Sequence, residues 1–423
     1  MIVNRDELIY DWNSTNGREI APGRKLMLND ETLRDGLQNP SVRDPSIEEK
    51  IQILHLMEDL GIDTVNIGLP GAGPRAYADT EALAREIVQS RLKIRPNCAA
   101  RTHQNDIRPI AEISQKVGMA IEAATFLGSS PIRRLVEDWT VEHLQRTTEE
   151  AVRFAVSEGL PVMYVTEDTT RADPQTVKAL YGTAIRCGAR AIVLCDTVGH
   201  AEPRGAHNLV RFAIEEIVKP AGEKIRVDWH GHNDRGLSVA NSLAAFAAGA
   251  DQVHGAANSL GERVGNTPME LMLVNLRLMG LIDRDLSKLK EYSDVVARAT
   301  HTTVPPNYPV VGRDAFRTAT GVHAAAIIKA YRKGDALLAN AVYSGVPSHL
   351  FGLEQVIEIG PLSGRSNVTY WLKKHGIPAT EELVTRIFDA AKRAARVMSD
   401  EEILALCGGD ASSSTTDEVS AKH

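Results

Sequence analysis

The chain has 423 residues, 43% apolar and 24% charged, with a formal charge of −7; this is the balance of an ordinary globular protein and excludes a disordered or fibrous one. Its length exceeds the ~250–300 residues at which a single core stops growing, so one large domain with a smaller companion is expected. Lys and Arg are dispersed, which offers no footprint for nucleic acid or an anionic membrane, and four cysteines (Cys98, Cys187, Cys195, Cys407) without CxxC spacing fit a reducing cytoplasm rather than a disulfide framework or a structural zinc knot.

In chain order, residues 1–24 form an N-terminal extension. MIVNRDELIYDWNSTNGREI carries acidic and polar residues where a signal peptide needs an apolar stretch. No apolar run approaches the ~18 residues of a membrane span, so neither export nor a membrane is expected. From 25 to 284 short apolar runs alternate with amphipathic helical stretches, the pattern of βα units on a parallel sheet. The strand candidates are KLMLND (25–30), DTVNIGL (63–69), IRPNCAA (94–100), AIEAATFL (120–127), PVMYVT (161–166), AIVLCD (191–196), IRVDWHGH (225–232) and DQVHGAA (251–257). Helical stretches such as 46–61, 141–159 and 238–250 lie between them, each closing at or just before Gly, the residue favoured beyond a helix C-terminus. Eight strands, each followed by a helix, predict an α/β fold, a (β/α)8 TIM barrel. An open doubly wound sheet that handled nucleotides would need a Gly-rich turn after its first strand, where this chain reads ETLRDGLQ.

Past 285 the pattern turns to helices with loops, broken by the Pro-rich TTVPPNYPVV at 302–311. Residues 285–407 are therefore expected as a mainly helical C-terminal subdomain and 408–423, poor in apolar residues, as a flexible tail.

Barrel chemistry sits at the C-terminal ends of the strands. There the first strand runs into Asp30, Glu31, Thr32, Arg34 and Asp35, the seventh into His230-Gly231-His232-Asn233-Asp234, and the eighth toward Gly261-Glu262-Arg263-Val264-Gly265-Asn266. His230 and His232, two apart on a strand, share the barrel's inner face. Asp35 comes from the strand that closes the barrel beside them. Two imidazoles and one carboxylate leave coordination positions open, as a catalytic divalent-metal site requires.

DETLRDG (30–36), EDTTRADP (167–174), DTVGHAEP (196–203), HGHNDRGLSVANSLAAFAAGADQV (230–253), GERVGNTP (261–268) and GVHAAA (321–326) together resemble the DRE-type TIM-barrel metallolyase superfamily. Within it they are similar to the Claisen-condensing isopropylmalate, homocitrate and citramalate synthases. The resemblance implies condensation of acetyl-CoA with a 2-oxo acid, then thioester hydrolysis to a 2-hydroxy di- or tricarboxylate, with Mg2+, Mn2+ or Zn2+ as cofactor. It implies that Asp35, His230 and His232 hold the metal with Asn266 beside it, that Arg34 stabilises the oxyanion, and that Thr197 holds the oxo-acid carboxylate, with Gln38 and Glu167 also binding substrate. His323 with Glu262 would be the acid/base pair at the acyl-CoA methyl group. A cytoplasmic homodimer is implied, the helical subdomain covering an active-site mouth. A leucine-sensing regulatory domain, as in full-length isopropylmalate synthases, is not expected after the last helix.

Four positions depart from the isopropylmalate synthase pattern: Leu37 and Asn66 stand where Glu is usual, Ala124 where His is common and Val165 where Ser is common. An altered acceptor pocket, with a specialised acceptor, is expected. RDGLQN itself is closer to hydroxymethylglutaryl-CoA lyase, so a carbon–carbon lyase or aldolase is the alternative. That lyase carries a cysteine in the loop after strand eight, which here reads GERVGN. A non-catalytic binding barrel would have lost part of the metal or charge-stabilising set, and the set is complete.

Overall fold

The computed structural model describes residues 9–15, 20 and 23–408. Eight strands, β1 (Met27–Asp30), β2 (Thr64–Asn66), β3 (Arg95–Arg101), β4 (Glu122–Gly128), β5 (Val162–Glu167), β6 (Ala191–Asp196), β7 (Arg226–Gly231) and β8 (Gln252–Gly255), form a closed barrel in sequence order. Every neighbouring pair is parallel, and β1 closes the ring by pairing with β2 through Asn29↔Thr64 and with β8 through Asn29↔His254. All eight predicted strands and the TIM-barrel fold are thus present, with ends shifted by a few residues. Of the expected tail, 408–423, all but Gly408 lies outside the described residues.

Local chemistry sets the connecting helices. Ser46 and Glu49 make a capping box ahead of the helix Ile47–Asp59, which satisfies backbone donors that helix geometry leaves orphaned. Asp173 caps the helix Pro174–Arg186, whose proline occupies the first turn, where its missing N–H is no loss. Gly118, at φ 68°, ends Gln104–Val117 in the left-handed conformation that spares a Cβ clash.

The barrel interior is unevenly filled. On the β1, β2, β3 and β8 side Asn29 accepts from Thr64 Oγ1 and from Asn97 Nδ2, each at 2.7 Å, and its own amide donates to Glu31 at 2.7 Å. Below the mouth Arg226 bridges Glu122 and Asp228 at 2.9 Å each. Around β4 to β6 the filling is apolar: Ala124, Met163, Ala191, Val193 and Cys195 form one buried cluster with Val165 packed on it.

By internal contacts the chain divides at Thr303/Val304. The helix Leu289–Thr300 lies on the barrel side of that division, although the change in sequence pattern comes at 285. The second unit is mainly helical, with a short parallel pair, β9 (Arg317–Thr318) and β10 (Val356–Ile357), that the sequence pattern did not announce. Its helices pack around two apolar clusters, one including Trp371, Leu372 and Ile387 and the other Ile327, Ile328 and Ile357. Among the described residues no helix is long and apolar enough to cross a membrane.

Candidate active site

At the C-terminal mouth the ends of β1, β5, β6, β7 and the loop after β8 enclose a cavity of ≈ 180 Å³. Arg34, Asp35, Gln38, Glu167, Thr197, His230, His232 and Glu262, drawn from distant parts of the chain, all line it.

Asp35 Oδ2 lies 3.4 Å from His230 Nε2 and 3.5 Å from His232 Nε2, and the two imidazole nitrogens are 3.3 Å apart. Atoms bound to one ion at ~2.0–2.2 Å stand roughly 3.0–3.5 Å from each other, so the triangle fits a divalent metal. Burial alone would raise the Asp35 carboxyl, but the Arg34 guanidinium and hydrogen bonds from both histidines hold it well below the usual carboxylate range. Burial lowers His230, which favours the neutral ring with a lone pair to offer. An orphaned atom strengthens the fit. Asn266 Oδ1 is buried without a hydrogen-bond partner among the described residues, a rare and costly condition unless a ligand or water fills it. Asn266 is aligned with His232 by an isolated antiparallel bridge, and its amide nitrogen donates to Leu260 O at 3.0 Å, which leaves Oδ1 free.

A second group with metal-ligand spacing, Glu31, His230 and His254, adjoins the first. Both nitrogens of His254 face carboxylates, Nδ1 with Glu31 at 3.3 Å and Nε2 with Asp228 at 3.5 Å. Burial opposes its protonation, but those two carboxylates outweigh burial and raise it. With both its nitrogens taken by carboxylates His254 has none to spare for an ion, so the Asp35 group is the candidate.

Arg34 Nε and Nη2 both reach Glu31 Oε2, at 3.1 and 2.5 Å, and Nη2 stands 3.8 Å from Asp35. Nη1 faces only Gln38, at 3.5 Å, so one edge of the guanidinium stays available to an incoming oxygen. Burial would raise Glu31, yet Arg34 and His254 bring it down to about 2. Thr197 Oγ1 accepts from Asp168 N at 2.8 Å, leaving its own proton for a substrate. Burial raises the Glu167 carboxyl.

The loop 261–266 is folded by its glycines. A Cβ at Gly265 (φ 87°) would stand 1.5 Å from Ser259 O, and one at Gly261 (φ 143°) 2.2 Å from Asn266 Nδ2. Arg263 then straps three loops together, with Nε and Nη2 on Asp234 at 2.9 and 3.0 Å and Nη2 on Thr197 O at 2.6 Å. His323 belongs to the second unit. It is exposed on the helix Gly321–Arg332 and stacks on Tyr343, ring centroids 4.1 Å apart.

Sequence reasoning passed over Glu31 as the clamp on Arg34, and also His254, Arg263 and Tyr343. Glu31 and Arg263 stood inside quoted motifs, and their spacing to Arg34 and Asp234 was the available signal. His254 lay inside the eighth strand candidate, and Tyr343 is isolated in sequence and had no signal.

Fold and site define a (β/α)8-barrel protein with a two-histidine, one-carboxylate group at its C-terminal mouth. Residues 25–296 match the HMGL-like family model, and the chain belongs to that family. It is 32% identical over 382 residues to a 2-isopropylmalate synthase of Pyrococcus furiosus, covering 88% of this chain and 72% of that protein. It is 31% identical over 379 residues to homocitrate synthase AksA of Methanothermobacter thermautotrophicus, covering 87% and 89%. The HMG-CoA lyase structure from Bacillus subtilis superposes with a TM-score of 0.56 at 18% identity, covering 67% of this chain and 96% of that one, a likeness of fold. The superfamily resemblance read from the motifs holds.

Proposed function

We propose that this chain is an acyltransferase that condenses acetyl-CoA with a 2-oxo acid in a divalent-metal-dependent Claisen reaction and hydrolyses the thioester to release CoA. The observation that carries the reading is the buried triangle of Asp35, His230 and His232 beside a guanidinium with a free edge. The relatives' names support the same class. Asp35, His230 and His232 would hold Mg2+, Mn2+ or Zn2+, with Asn266 Oδ1 turned to the ion or its water. Bound there, the cation supplies Lewis-acid polarisation of the acceptor's keto oxygen.

The chain's own groups do the rest. The Thr197 hydroxyl donates to the acceptor's carboxylate, and Gln38 and Glu167 line its approach. A base takes one proton from the thioester methyl group; by the family resemblance this is His323 acting with Glu262. The carbanion attacks the keto carbon, and Arg34 Nη1 receives the charge that grows on the former keto oxygen as a preorganised donor. Water then breaks the thioester, leaving a carboxylate and free thiol. A cytoplasmic homodimer is part of the same proposal.

The test is thiol release from acetyl-CoA with a panel of 2-oxo acids and added Mg2+, Mn2+ or Zn2+. Metal-dependent release that Asp35→Ala abolishes supports the reading. Cleavage of 3-hydroxyacyl-CoA substrates without condensation would replace it with a lyase.

A further inference from the structure

The cavity has two chemically different halves. β7, β8 and the β1 loop line one with His230, His254, Glu31, Arg34 and Asp35. β3 to β6 line the other with Ala99, Ala124, Phe126, Met163, Val165, Val193 and Cys195, and the last residue of β5, Glu167, is the one carboxylate those strands add. Ala99 and Ala124 are register partners on β3 and β4, and Val165 and Val193 on β5 and β6. The two alanines, side by side, leave a notch in a wall whose other members are larger. Asn66 of β2, at the boundary between the halves, contributes an amide and no charge.

A second carboxylate on the acceptor would need a counter-charge in the apolar half. The arginines that line the cavity are committed elsewhere: Arg34 is held by Glu31 and its free edge is the one assigned to the keto oxygen, and Arg263 is paired with Asp234. Arg133, on the helix after β4, pairs with Glu137 at 3.1 Å. Glu31, Glu167 and Glu262 on the cavity wall would repel another anion. A methyl group, by contrast, is too small for the Ala99–Ala124 notch and would forfeit contact with that wall.

Building on the condensing reading, we propose that the acceptor is a 2-oxo acid whose side chain is uncharged, apolar and larger than methyl, seated against Ala99, Ala124, Val165 and Val193. The charged half takes the carboxylate and keto end. The apolar half selects by size and by the cost of burying an unpaired charge.

The measurement is isothermal titration calorimetry of the full chain supplied with Mn2+. The titrants are 2-oxohexanoate, 2-oxoisocaproate and phenylpyruvate against oxaloacetate, 2-oxoglutarate and pyruvate, with thiol release from acetyl-CoA read in parallel. The apolar acids should bind at least ~10-fold tighter than the dicarboxylates, the scale on which a pocket separates one or two methylenes. Ala124→Leu, which fills the notch, should weaken them about 10-fold while leaving pyruvate within about 3-fold. Val165→Thr, isosteric and expected to fold, should weaken the apolar acids alone. Equal or tighter binding of oxaloacetate or 2-oxoglutarate overturns the proposal, as does indifference of the apolar acids to both substitutions. Selective apolar binding without thiol release keeps the pocket assignment and sinks the condensing reading.

Discussion

Asp30 and Asp35 share the loop at the end of β1 and are pushed in opposite directions. Burial, with the neighbouring Glu31 charge, raises the Asp30 carboxyl to about 6 against hydrogen bonds from Thr32 and Tyr292. Asp35 is as deeply placed, but Arg34 and two imidazoles keep it ionised. For Asp30 the folded state therefore holds its proton more tightly than the unfolded chain. Its contribution to stability is complete below about pH 4 and is lost as pH rises through about 6, a difference of roughly 3 kcal/mol. The difference in urea stability between the native protein and Asp30→Asn should change by that amount between pH 4 and pH 8. For the metal group the direction reverses. With His230 lowered by burial, Mn2+ affinity measured by calorimetry should be level from pH 8 to about the ordinary histidine value of ~6.5 and fall below it, as protons compete for the ring. Asp35→Asn, which removes a ligand charge, should cost on the order of 100-fold in affinity or more, since even groups that merely orient ligands cost 10–100-fold. Unchanged affinity would remove Asp35 from the site.

Two small motifs of similar length have very different reach at the level of elements. The Ser46–Glu49 capping box lies on the outer layer and serves one helix. Ser46→Ala should cost about 1 kcal/mol in thermal or denaturant unfolding and leave Mn2+ affinity unchanged. The loop 261–266 serves the whole mouth, because its backbone runs against Ser259 and Leu260 and its Arg263 ties the β6 and β7 loops. Gly265→Ala introduces a Cβ with no room at a positive φ. It should lower the melting temperature and, by displacing Asn266, weaken metal binding as well. A melting shift without any loss of affinity would show that Asn266 is not part of the metal group. Arg263 and Asp234 are partly exposed, so their pair should matter to loop position more than to stability, where such pairs contribute ~1 kcal/mol or less.

For the whole molecule the metal triangle sits in one unit and His323 in the other. If His323 serves the same reaction, His323→Ala should lower CoA release about 10²–10⁴-fold, the usual worth of a general acid–base group, with Mn2+ affinity unchanged. Unaltered turnover would confine the chemistry to the barrel. Much of this architecture was legible in the chain itself. Strand candidates such as AIVLCD and PVMYVT are short, apolar and β-branched, a local property that survives in the structure as β6 and β5. His230 and His232 were legible because they stand at the end of a strand, and Asp35 because it lies in the loop after one, and a barrel brings all strand ends to one rim. What the sequence determined by itself was therefore local: eight βα units, their caps, and the ligand-bearing strand ends. What only the tertiary structure decided was pairing between residues far apart in sequence. It set His254 behind the local Glu31–Arg34 pair, left Asn266 Oδ1 without a partner among the described residues, and joined Ala99, Ala124, Val165 and Val193 into one apolar wall. Such pairings depend on barrel closure and strand stagger, which bring side chains from different strands together at one level, and no window of the sequence contains both partners.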